Sequence, residues 1–328
     1  MNNLASYGGY RSWGAPLIAP DGTLDTAKVA RLARYGTCVI HANVLHTRPD
    51  VTAALREAGA KRILPYVTLT HWWLGADFTP QATDHSFNAE WHRAIQRTGG
   101  FLPNPQQGYE VDWTNATTAA ALTELLVMMA GSGLYDGIFM DYASPEWEPT
   151  KAIERQAAMA DAVAKVAEAG GDYFLIVGNG IGAHALQFDE RMAEGFPQPF
   201  TSFDKALNMN PYRWLKCEDT NPRAGRFGYC TALLTGATFC WGPQSPSSFD
   251  GDRWLPEFDV DLGEPRGSYL KLTSGVYARW FDKGLVMVNP TWEPCMLDLL
   301  APTHERVGLG PSRYITVPAW DAVVMVRA

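Results

Sequence analysis

The sequence predicts a (β/α)8 TIM barrel followed by a small C-terminal all-β module. Short apolar runs alternate with helical patterns as far as Trp241, and this alternation is typical of a parallel α/β sheet. Beyond Tyr269 the pattern consists of strands and turns only. A length of 328 residues suits one barrel of roughly 250 residues with a smaller module behind it.

Eight apolar runs are the predicted barrel strands, because each is short and bounded by polar or turn-forming residues. Eight parallel strands are the number that closes a TIM barrel. A doubly wound open sheet is the alternative, but no glycine-rich phosphate-binding turn follows the first run. The predicted strands are Thr37–Asn43, Arg62–Leu69, Gly108–Trp113, Gly137–Tyr142, Phe174–Gly178, Arg191–Gly195, Arg213–Glu218 and Ala237–Trp241.

Helical patterns fill the intervals between these runs. The clearest lies in Thr150–Ala169, where small or apolar residues recur at helical spacing and form one stripe that suits close packing on a sheet. That stripe consists of Ile153, Ala157, Ala160, Ala164 and Ala167. The other predicted helices are Asp25–Tyr35, Asp50–Ala58, Phe87–Thr98, Thr117–Ala130 and Arg223–Leu234.

The predicted barrel comprises residues 1–265, and a β-sandwich-like module comprises residues 266–328. A stretch rich in Pro, Ser, Gly and Asp after Pro243 is interpreted as a long ordered loop with the last barrel helix. The run SGVYARWF, a turn at residues 282–284 and the run LVMVNP predict a hairpin with alternating apolar residues. The runs RYITVP and AVVMVRA predict two later strands.

Composition and charge exclude several partners. The net charge is −8, and no basic run offers a surface to phosphates, so nucleic acid is not an expected partner. The most apolar stretch, Ala116–Leu134, is interrupted by polar residues, so we expect no membrane span. The five cysteines form no CxxC pair and are interpreted as mostly reduced, buried thiols.

The first residues lack a basic segment followed by an apolar one, so we expect no secretory signal there. A cytoplasmic, a virion-associated and a trimmed secreted protein all fit that expectation. The oligomeric state is not predicted by any pattern in the sequence.

Two carboxylates at strand ends are the candidate catalytic residues. In a parallel barrel the ligand site lies at the carboxyl ends of the strands, where Asp141 ends the fourth run and Glu194 the sixth. Paired carboxylates suit glycosidic bond cleavage, one as nucleophile or base and the other as general acid. We expect burial of Glu194 against Phe196 or a tryptophan to keep this acid protonated. The structural alternative is that either acid caps a loop.

Aromatic and polar residues near the strand ends are the candidate substrate-binding residues. Aromatic faces stack on sugar rings, while Asn, Asp and His side chains bind hydroxyl groups. The structural alternative is that the tryptophans fill the core and that Asp112 caps the following helix. The candidates are His71, Trp72, Trp73, Asp112, Trp113, Asn179, Trp241 and Trp254.

Other catalytic chemistries lack their motifs. The sequence has no HxH or HExxH metal-binding pattern and no GxSxG nucleophile elbow. The glycine-rich segment at residues 178–182 lacks the lysine and the spacing of a phosphate-binding loop. We therefore expect no catalytic metal and no cofactor.

An ordered set of motifs resembles those of TIM-barrel glycoside hydrolases. YDGIFMDYA at 135–143 resembles their fourth strand, RMAEGF at 191–196 their sixth, and EVDWTN at 110–115 their third. ALLTGATFCWGP at 232–243, WLPEFDVDLGEPRG at 254–267 and WFDKGLVMVNPT at 280–291 resemble the eighth strand, the segment after it and the β-module that follows. This group includes hypothetical glycosyl-hydrolase families and is similar in outline to the endo-α-1,4-polygalactosaminidases.

The resemblance implies a glycoside hydrolase acting on a polysaccharide, an oligosaccharide or a complex glycan. It implies Asp141 as nucleophile and Glu194 as general acid/base, with retention of configuration, and it adds Glu257 to Asp112 and Trp254 as supporting residues. Two other functions fit the same barrel: a non-catalytic carbohydrate-binding protein, and a transglycosylase or lyase. The glycan, its linkage and the choice between endo and exo action are not predicted.

Overall fold

A computed structural model of the chain describes residues 4–6, 17–18, 21–42, 45, 48–72, 89–104, 108–141, 143, 152–179, 187–196, 202–208, 212–219, 221–241, 254–299, 304–307 and 312–327. Eight parallel strands form a closed barrel, which confirms the predicted fold class. They follow one another around the barrel in chain order. Barrel strands 1 to 8 are Leu4–Ser6, Thr37–His41, Arg62–Thr68, Gly137–Asp141, Leu175–Gly178, Glu190–Phe196, Tyr212–Cys217 and Thr238–Trp241.

The predicted third strand is wrong as a barrel strand. Gly108–Val111 pairs antiparallel with Phe101–Asn104 and with His71–Trp72 in a separate three-stranded sheet, here called the side sheet. The missing barrel strand is Leu4–Ser6, which pairs parallel with Thr238–Trp241. A short apolar run does not indicate its pairing partner, and a three-residue strand is too short to show alternation.

Helices occupy most of the predicted intervals, and side-chain caps mark the starts of four of those described. Asp25 accepts a hydrogen bond from the Lys28 N–H, and Asn115 accepts from the N–H groups of Thr117 and Thr118. The helices in the described ranges are α1 (Thr26–Ala33), α2 (Pro49–Glu57), α3 (Ala89–Thr98), α4 (Ala116–Gly131), α5 (Ala152–Gly170), α6 (Phe203–Leu207) and α7 (Pro222–Thr235). None of these described helices has the length and apolarity needed to cross a bilayer.

The chain divides into two compact units, residues 6–192 and residues 193–328 together with residues 1–5. In the first unit, helices α4 and α5 pack on barrel strand 4 around a buried apolar cluster that includes Leu122, Leu126, Ile138, Met140 and Met159. Because side chains alternate along a strand, Phe139 and Asp141 point to the other face of strand 4, into the barrel.

The second unit ends in antiparallel strands. Five of them form one sheet in the order Leu270–Lys271, Tyr277–Trp280, Gly284–Asn289, Asp321–Arg327 and His304–Arg306. A two-stranded sheet pairs Cys295–Asp298 with Tyr314–Val317. The two sheets share one buried core, and the hairpin across residues 277–289 has the predicted pairing. The module boundary at residue 265 stays a prediction.

Gly225 of helix α7 allows the Trp241 ring to pack closely against the helix. A Cβ atom at Gly225 would lie 2.5 Å from two ring carbons of Trp241. We expect Gly225→Ala to lower the free energy of unfolding by about 1–3 kcal/mol, because overpacking outweighs the gain in helix propensity. Urea unfolding measures this effect.

Gly131 provides the matched control for that substitution. It also lies in a helix, but a Cβ atom there would meet no atom of the described residues within 4 Å. Gly131→Ala is expected to leave stability unchanged or to raise it by about 0.5–1 kcal/mol. If the two substitutions changed the free energy of unfolding equally, close packing of Trp241 would not be the reason that position 225 requires glycine.

Candidate active site

Asp141 is the last residue of barrel strand 4, and its carboxylate is held by two side chains. The residue is 9% exposed. The Tyr66 hydroxyl donates to Oδ2 at 2.6 Å, and the Asn179 amide donates from Nδ2 to Oδ1 at 2.9 Å. Both carboxylate oxygens therefore accept a hydrogen bond from a neutral donor, and these two bonds fix the orientation of the buried carboxyl group.

Backbone pairing explains why Asn179 and Tyr66 reach Asp141. Barrel strand 5 pairs with strand 4 up to Met140 and Gly178, and the Asn179 N–H donates to the Met140 carbonyl, so the next residues, Asp141 and Asn179, are neighbours. Tyr66, on strand 3, pairs with Phe139, and their rings stack with centroids 5.9 Å apart. The predicted candidates Asp141 and Asn179 therefore lie in one hydrogen-bonded group.

Tyr66 and His41 are candidate functional residues that the sequence patterns do not indicate. His41 ends barrel strand 2, is 4% exposed, and lies with its ring centroid 6.2 Å from that of Tyr66. The feature of the sequence that could have indicated them is a polar ring in a largely apolar strand, within the strand for Tyr66 and at its end for His41. Such a signal is weak, because buried Tyr and His are common in cores.

Glu194 lies in barrel strand 6, and a lysine holds its carboxylate. The Lys216 ammonium group of strand 7 donates to Oε1 of Glu194 at 2.5 Å. Nζ also lies 3.0 Å from Oε1 of Glu218. The side chain of Lys216 is 1% exposed and that of Glu194 is 36% exposed. A neighbouring ammonium group favours the ionised form of a carboxyl group.

The expectation that Glu194 is buried against Phe196 is wrong. Gly195, between them, has φ +67, a left-handed conformation that interrupts the alternation of the strand. Phe196 consequently stacks on Phe227 of helix α7, with centroids 5.6 Å apart. The Glu194 carboxylate instead contacts the Lys216 ammonium group, and its burial against a tryptophan stays a prediction.

Asp112 and Trp113 follow the side sheet and make structural contacts. Oδ1 of Asp112 accepts hydrogen bonds from the N–H and the hydroxyl group of Thr114, while Asn115 caps helix α4. Trp113 is 1% exposed, and its indole N–H donates to the Leu69 carbonyl at 2.7 Å. Core packing accounts for Trp113, and a substrate contact by either residue stays a prediction.

Two further predicted residues, His71 and Trp72, form one strand of the side sheet. His71 and Trp72 pair through their backbones with Glu110 and Tyr109. Trp73 lies outside the described residues. Their contacts with substrate stay predictions.

Trp241 and Trp254 pack on one phenylalanine in the second unit. Both rings are nearly perpendicular to Phe258, with centroid distances of 6.2 and 5.3 Å. The indole N–H of Trp241 donates to the Asp219 carbonyl, and that of Trp254 donates to Asp259. Trp241 is buried and Trp254 is partly exposed, so Trp254 is the better placed of the two for a sugar contact.

Glu257 takes part in an ion-pair network. Its Oε1 lies 3.7 Å from Arg226, whose guanidinium group also makes two hydrogen bonds to Asp321. Asp321, through those bonds, raises the pKa of the Arg226 guanidinium group. This network joins the segment at Glu257 to helix α7 and the last strand, and a sugar contact by Glu257 stays a prediction.

Metal-ligating residues do not cluster in the part of the chain that the structure describes. No group of three or more His, Cys, Asp or Glu side chains there is arranged to hold a metal ion. Cys38, Cys217, Cys230 and Cys240 are buried free thiols, and Cys295 is partly exposed. Burial raises the pKa of the Cys230 and Cys240 thiols.

Residues 62–285 match the model of the family described as hypothetical glycosyl hydrolase family 15. No curated protein matches the chain. Similar solved structures include a pullulanase from Anoxybacillus sp. LM18-11 complexed with maltotriose, at 9% identity and a TM-score of 0.56, covering 100% of this chain and 67% of that one.

Two further structures are similar along nearly their whole length. An α-amylase from H. orenii has 11% identity and a TM-score of 0.53, covering 93% of this chain and 92% of that one. A GH27 β-L-arabinopyranosidase from Geobacillus stearothermophilus has 10% identity and a TM-score of 0.57, covering 100% and 96%. At these identities the structural similarity supports the barrel fold alone.

Proposed function

The chain belongs to hypothetical glycosyl hydrolase family 15, and from that premise we propose that it is a glycoside hydrolase that cleaves a polysaccharide, an oligosaccharide or a complex glycan. The observation that carries the proposal is the hydrogen-bonded carboxylate of Asp141 at the carboxyl end of barrel strand 4. Residues at that end of barrel strands are the catalytic positions of TIM-barrel enzymes.

Asp141 is the proposed nucleophile. Its ionised carboxylate attacks the anomeric carbon of the sugar, and the bond from that carbon to the glycosidic oxygen breaks. Two neutral donors, Tyr66 and Asn179, orient the carboxylate and leave its charge in place. An ionised, fixed carboxylate is the form in which an Asp side chain acts as nucleophile.

Glu194 is the proposed general acid/base. It gives its proton to the leaving glycosidic oxygen in the first step, and in the second step it takes a proton from the water that attacks the glycosyl–Asp141 ester. Two displacements at one carbon retain the configuration. Retention requires the two carboxyl groups to lie about 5–5.5 Å apart, whereas a separation of about 6.5–9.5 Å gives inversion with Asp141 as the base.

The substrate-binding residues in this proposal are those that offer an aromatic face or a polar edge. Trp254 is the first candidate, because its ring is partly exposed and its N–H is fixed by Asp259. The side sheet carries His71 and Trp72 in the segment that follows barrel strand 3. Maltotriose in the similar pullulanase puts α-glucans first among the substrates to test.

A glycan panel tests the proposed function. Purified protein is incubated with α-glucans and with other plant and bacterial glycans, and new reducing ends and product masses are measured. We expect cleavage of at least one glycan. An Asp141→Asn/Glu194→Gln double variant, purified identically, controls for contaminating hydrolases.

The products separate this function from its alternatives. NMR of the first-formed anomer distinguishes retention from inversion. An unsaturated uronide identifies a lyase, and a transferred glycan identifies a transglycosylase. If the wild type and the double variant both bind one glycan tightly and neither cleaves it, the chain is a carbohydrate-binding protein.

A further inference from the structure

We propose that Lys216 is a positioning residue for Glu194: it holds the Glu194 carboxylate in place and sets the pH range in which that carboxyl group exchanges its proton. This inference rests on the proposed function, because Glu194 is the proposed acid/base. The sequence motifs do not include Lys216.

Lys216 points away from the helix that covers its strand. On barrel strand 7 the neighbouring residue Cys217 faces helix α7, since a Cβ atom on Gly228 of that helix would lie 3.3 Å from the Cys217 Cβ atom. Successive side chains of a strand point to opposite faces, so Lys216 points into the barrel. It is paired in register with Cys240 of strand 8.

The ammonium group is hidden, whereas the carboxylate is accessible. The side chain of Lys216 is 1% exposed and that of Glu194 is 36% exposed, with Nζ and Oε1 2.5 Å apart. A ligand that reaches this side chain therefore meets the carboxylate and not the ammonium group. Lys216 acts on the reaction through Glu194.

The ammonium group of the buried Lys216 lies next to two carboxylates. Burial of an isolated ammonium group is strongly unfavourable, and nearby carboxylates offset that cost. Glu194, on strand 6, and Glu218, just after strand 7, supply two such groups within 3.0 Å. Cys240, on strand 8, adds no charge because burial raises the pKa of its thiol.

The lysine stabilises Glu194 in the state that follows proton donation. Once Glu194 has protonated the leaving oxygen it is a carboxylate, and an ammonium group at 2.5 Å lowers the energy of that form. The same contact makes Glu194 lose its proton at lower pH before substrate binds. The alkaline limb of the pH profile of kcat/KM reports the loss of the proton from the acid in the free enzyme. Lys216 therefore displaces this limb to lower pH.

Lys216→Met tests the inference. Without the ammonium group Glu194 keeps its proton to higher pH, so we expect the alkaline limb of kcat/KM to move up by about one pH unit or more. Lys216→Arg retains the charge and is expected to restore the wild-type limb. Lys165→Met, which removes an exposed lysine paired with Asp161, controls for general charge effects.

A second readout does not depend on activity. The Glu194 carboxyl carbon is titrated by 13C NMR in glutamate-labelled full-length protein, with Glu194→Gln assigning the resonance. We expect its titration midpoint to rise in Lys216→Met. If that variant does not fold, Lys216→Met/Glu218→Gln removes the lysine together with one carboxylate, and a smaller rise is expected, because the Glu218 charge no longer disfavours the ionised form of Glu194.

The outcomes separate this inference from the proposed function. A raised NMR midpoint together with a raised alkaline limb supports the role of Lys216. An unchanged or lowered midpoint overturns it, and so does a raised midpoint with an unmoved pH profile. If no glycan is cleaved, the proposed function fails, and the NMR midpoint alone decides whether Lys216 controls Glu194.

Discussion

Replacing Asp141 by asparagine is expected to lower kcat on the cleaved glycan by a factor on the order of 10³–10⁵, because an amide cannot act as nucleophile or base. The fold is expected to survive. The side-chain oxygen of the introduced asparagine can accept from Asn179, and its NH2 group can donate to the Tyr66 hydroxyl, so both hydrogen bonds keep a partner.

The Asp141 prediction is checked by kinetics and by glycan binding on the same preparations. Binding measured by calorimetry is expected to stay within a few-fold of the wild type, because the substitution removes a group that acts in the transition state. Asp172→Asn, which changes an exposed carboxyl group before barrel strand 5, is the matched control and is expected to retain activity. Full activity of the Asp141 variant would remove this residue from the mechanism.

A smaller side chain at the same position tests whether Asp141 acts at the anomeric carbon. Asp141→Ala removes the carboxylate, and added azide can then attack the anomeric carbon of an activated glycoside from the vacated side, so that the bond to the leaving group breaks. The expected product is a glycosyl azide of configuration opposite to that of the substrate, whether Asp141 is a nucleophile or the base that activates water, whereas rescue at the acid/base of a retaining enzyme yields an azide of the substrate's configuration. The configuration of the azide product therefore tests the assignment of Asp141 rather than Glu194 to the anomeric carbon, and the first-formed anomer of the wild type decides between retention and inversion.

The two proposed catalytic carboxylates are supported by different chemistry. Neutral donors, a hydroxyl and an amide group, hold Asp141, while an ammonium group holds Glu194. A nucleophile must remain ionised and gains orientation from neutral hydrogen bonds. An acid/base must pass between two protonation states, and a fixed positive charge biases that equilibrium. This difference agrees with the roles proposed for the two residues.

Sequence patterns predict the parts of this molecule that depend on local periodicity. Strong apolar strands ending in polar residues identify Asp141 and Asn179, which the structure brings into contact. Tyr66 and Lys216 lie inside apolar strands, where a polar residue gives no indication of its partner. Both find their carboxylates on other strands, at separations of 75 and 22 residues.

The error in assigning one barrel strand has the same origin. Gly108–Val111 has the composition of a barrel strand, but its partners are the antiparallel strands of the side sheet. Leu4–Ser6 is too short to show a pattern, and its place is set by pairing with Thr238–Trp241. Partner choice depends on contacts distant in sequence, which periodicity does not encode.

The second large effect is expected on stability, at a buried ion pair between helix α5 and the side sheet. The side chain of Arg155 is 0% exposed and that of Glu110 is 5% exposed, with Nη2 and Oε2 2.9 Å apart. Nη2 also donates to the Val111 carbonyl at 3.3 Å. The pair therefore joins the helix that follows barrel strand 4 to the sheet that carries His71 and Trp72.

Replacing Arg155 by methionine is expected to lower the free energy of unfolding by about 3–5 kcal/mol, because Glu110 then loses its counter-ion in a buried site. Urea unfolding measures the loss. Arg155→Met/Glu110→Gln is expected to recover part of it, since no buried charge remains. Lys165→Met, which breaks the exposed pair with Asp161, is expected to cost less than about 0.5 kcal/mol.

The double variant identifies the cause of the Arg155 effect. Among the described residues, Nε and Nη1 of Arg155 have no hydrogen-bond partner, so the buried guanidinium group carries a desolvation cost that methionine does not. If the unpaired Glu110 carboxylate causes most of the loss of stability in Arg155→Met, the double variant is more stable than Arg155→Met. If both variants are equally destabilised, lost packing of the side chain is the cause. If neither is destabilised, the desolvation cost cancels the attraction, and the pair specifies the position of the side sheet without stabilising it.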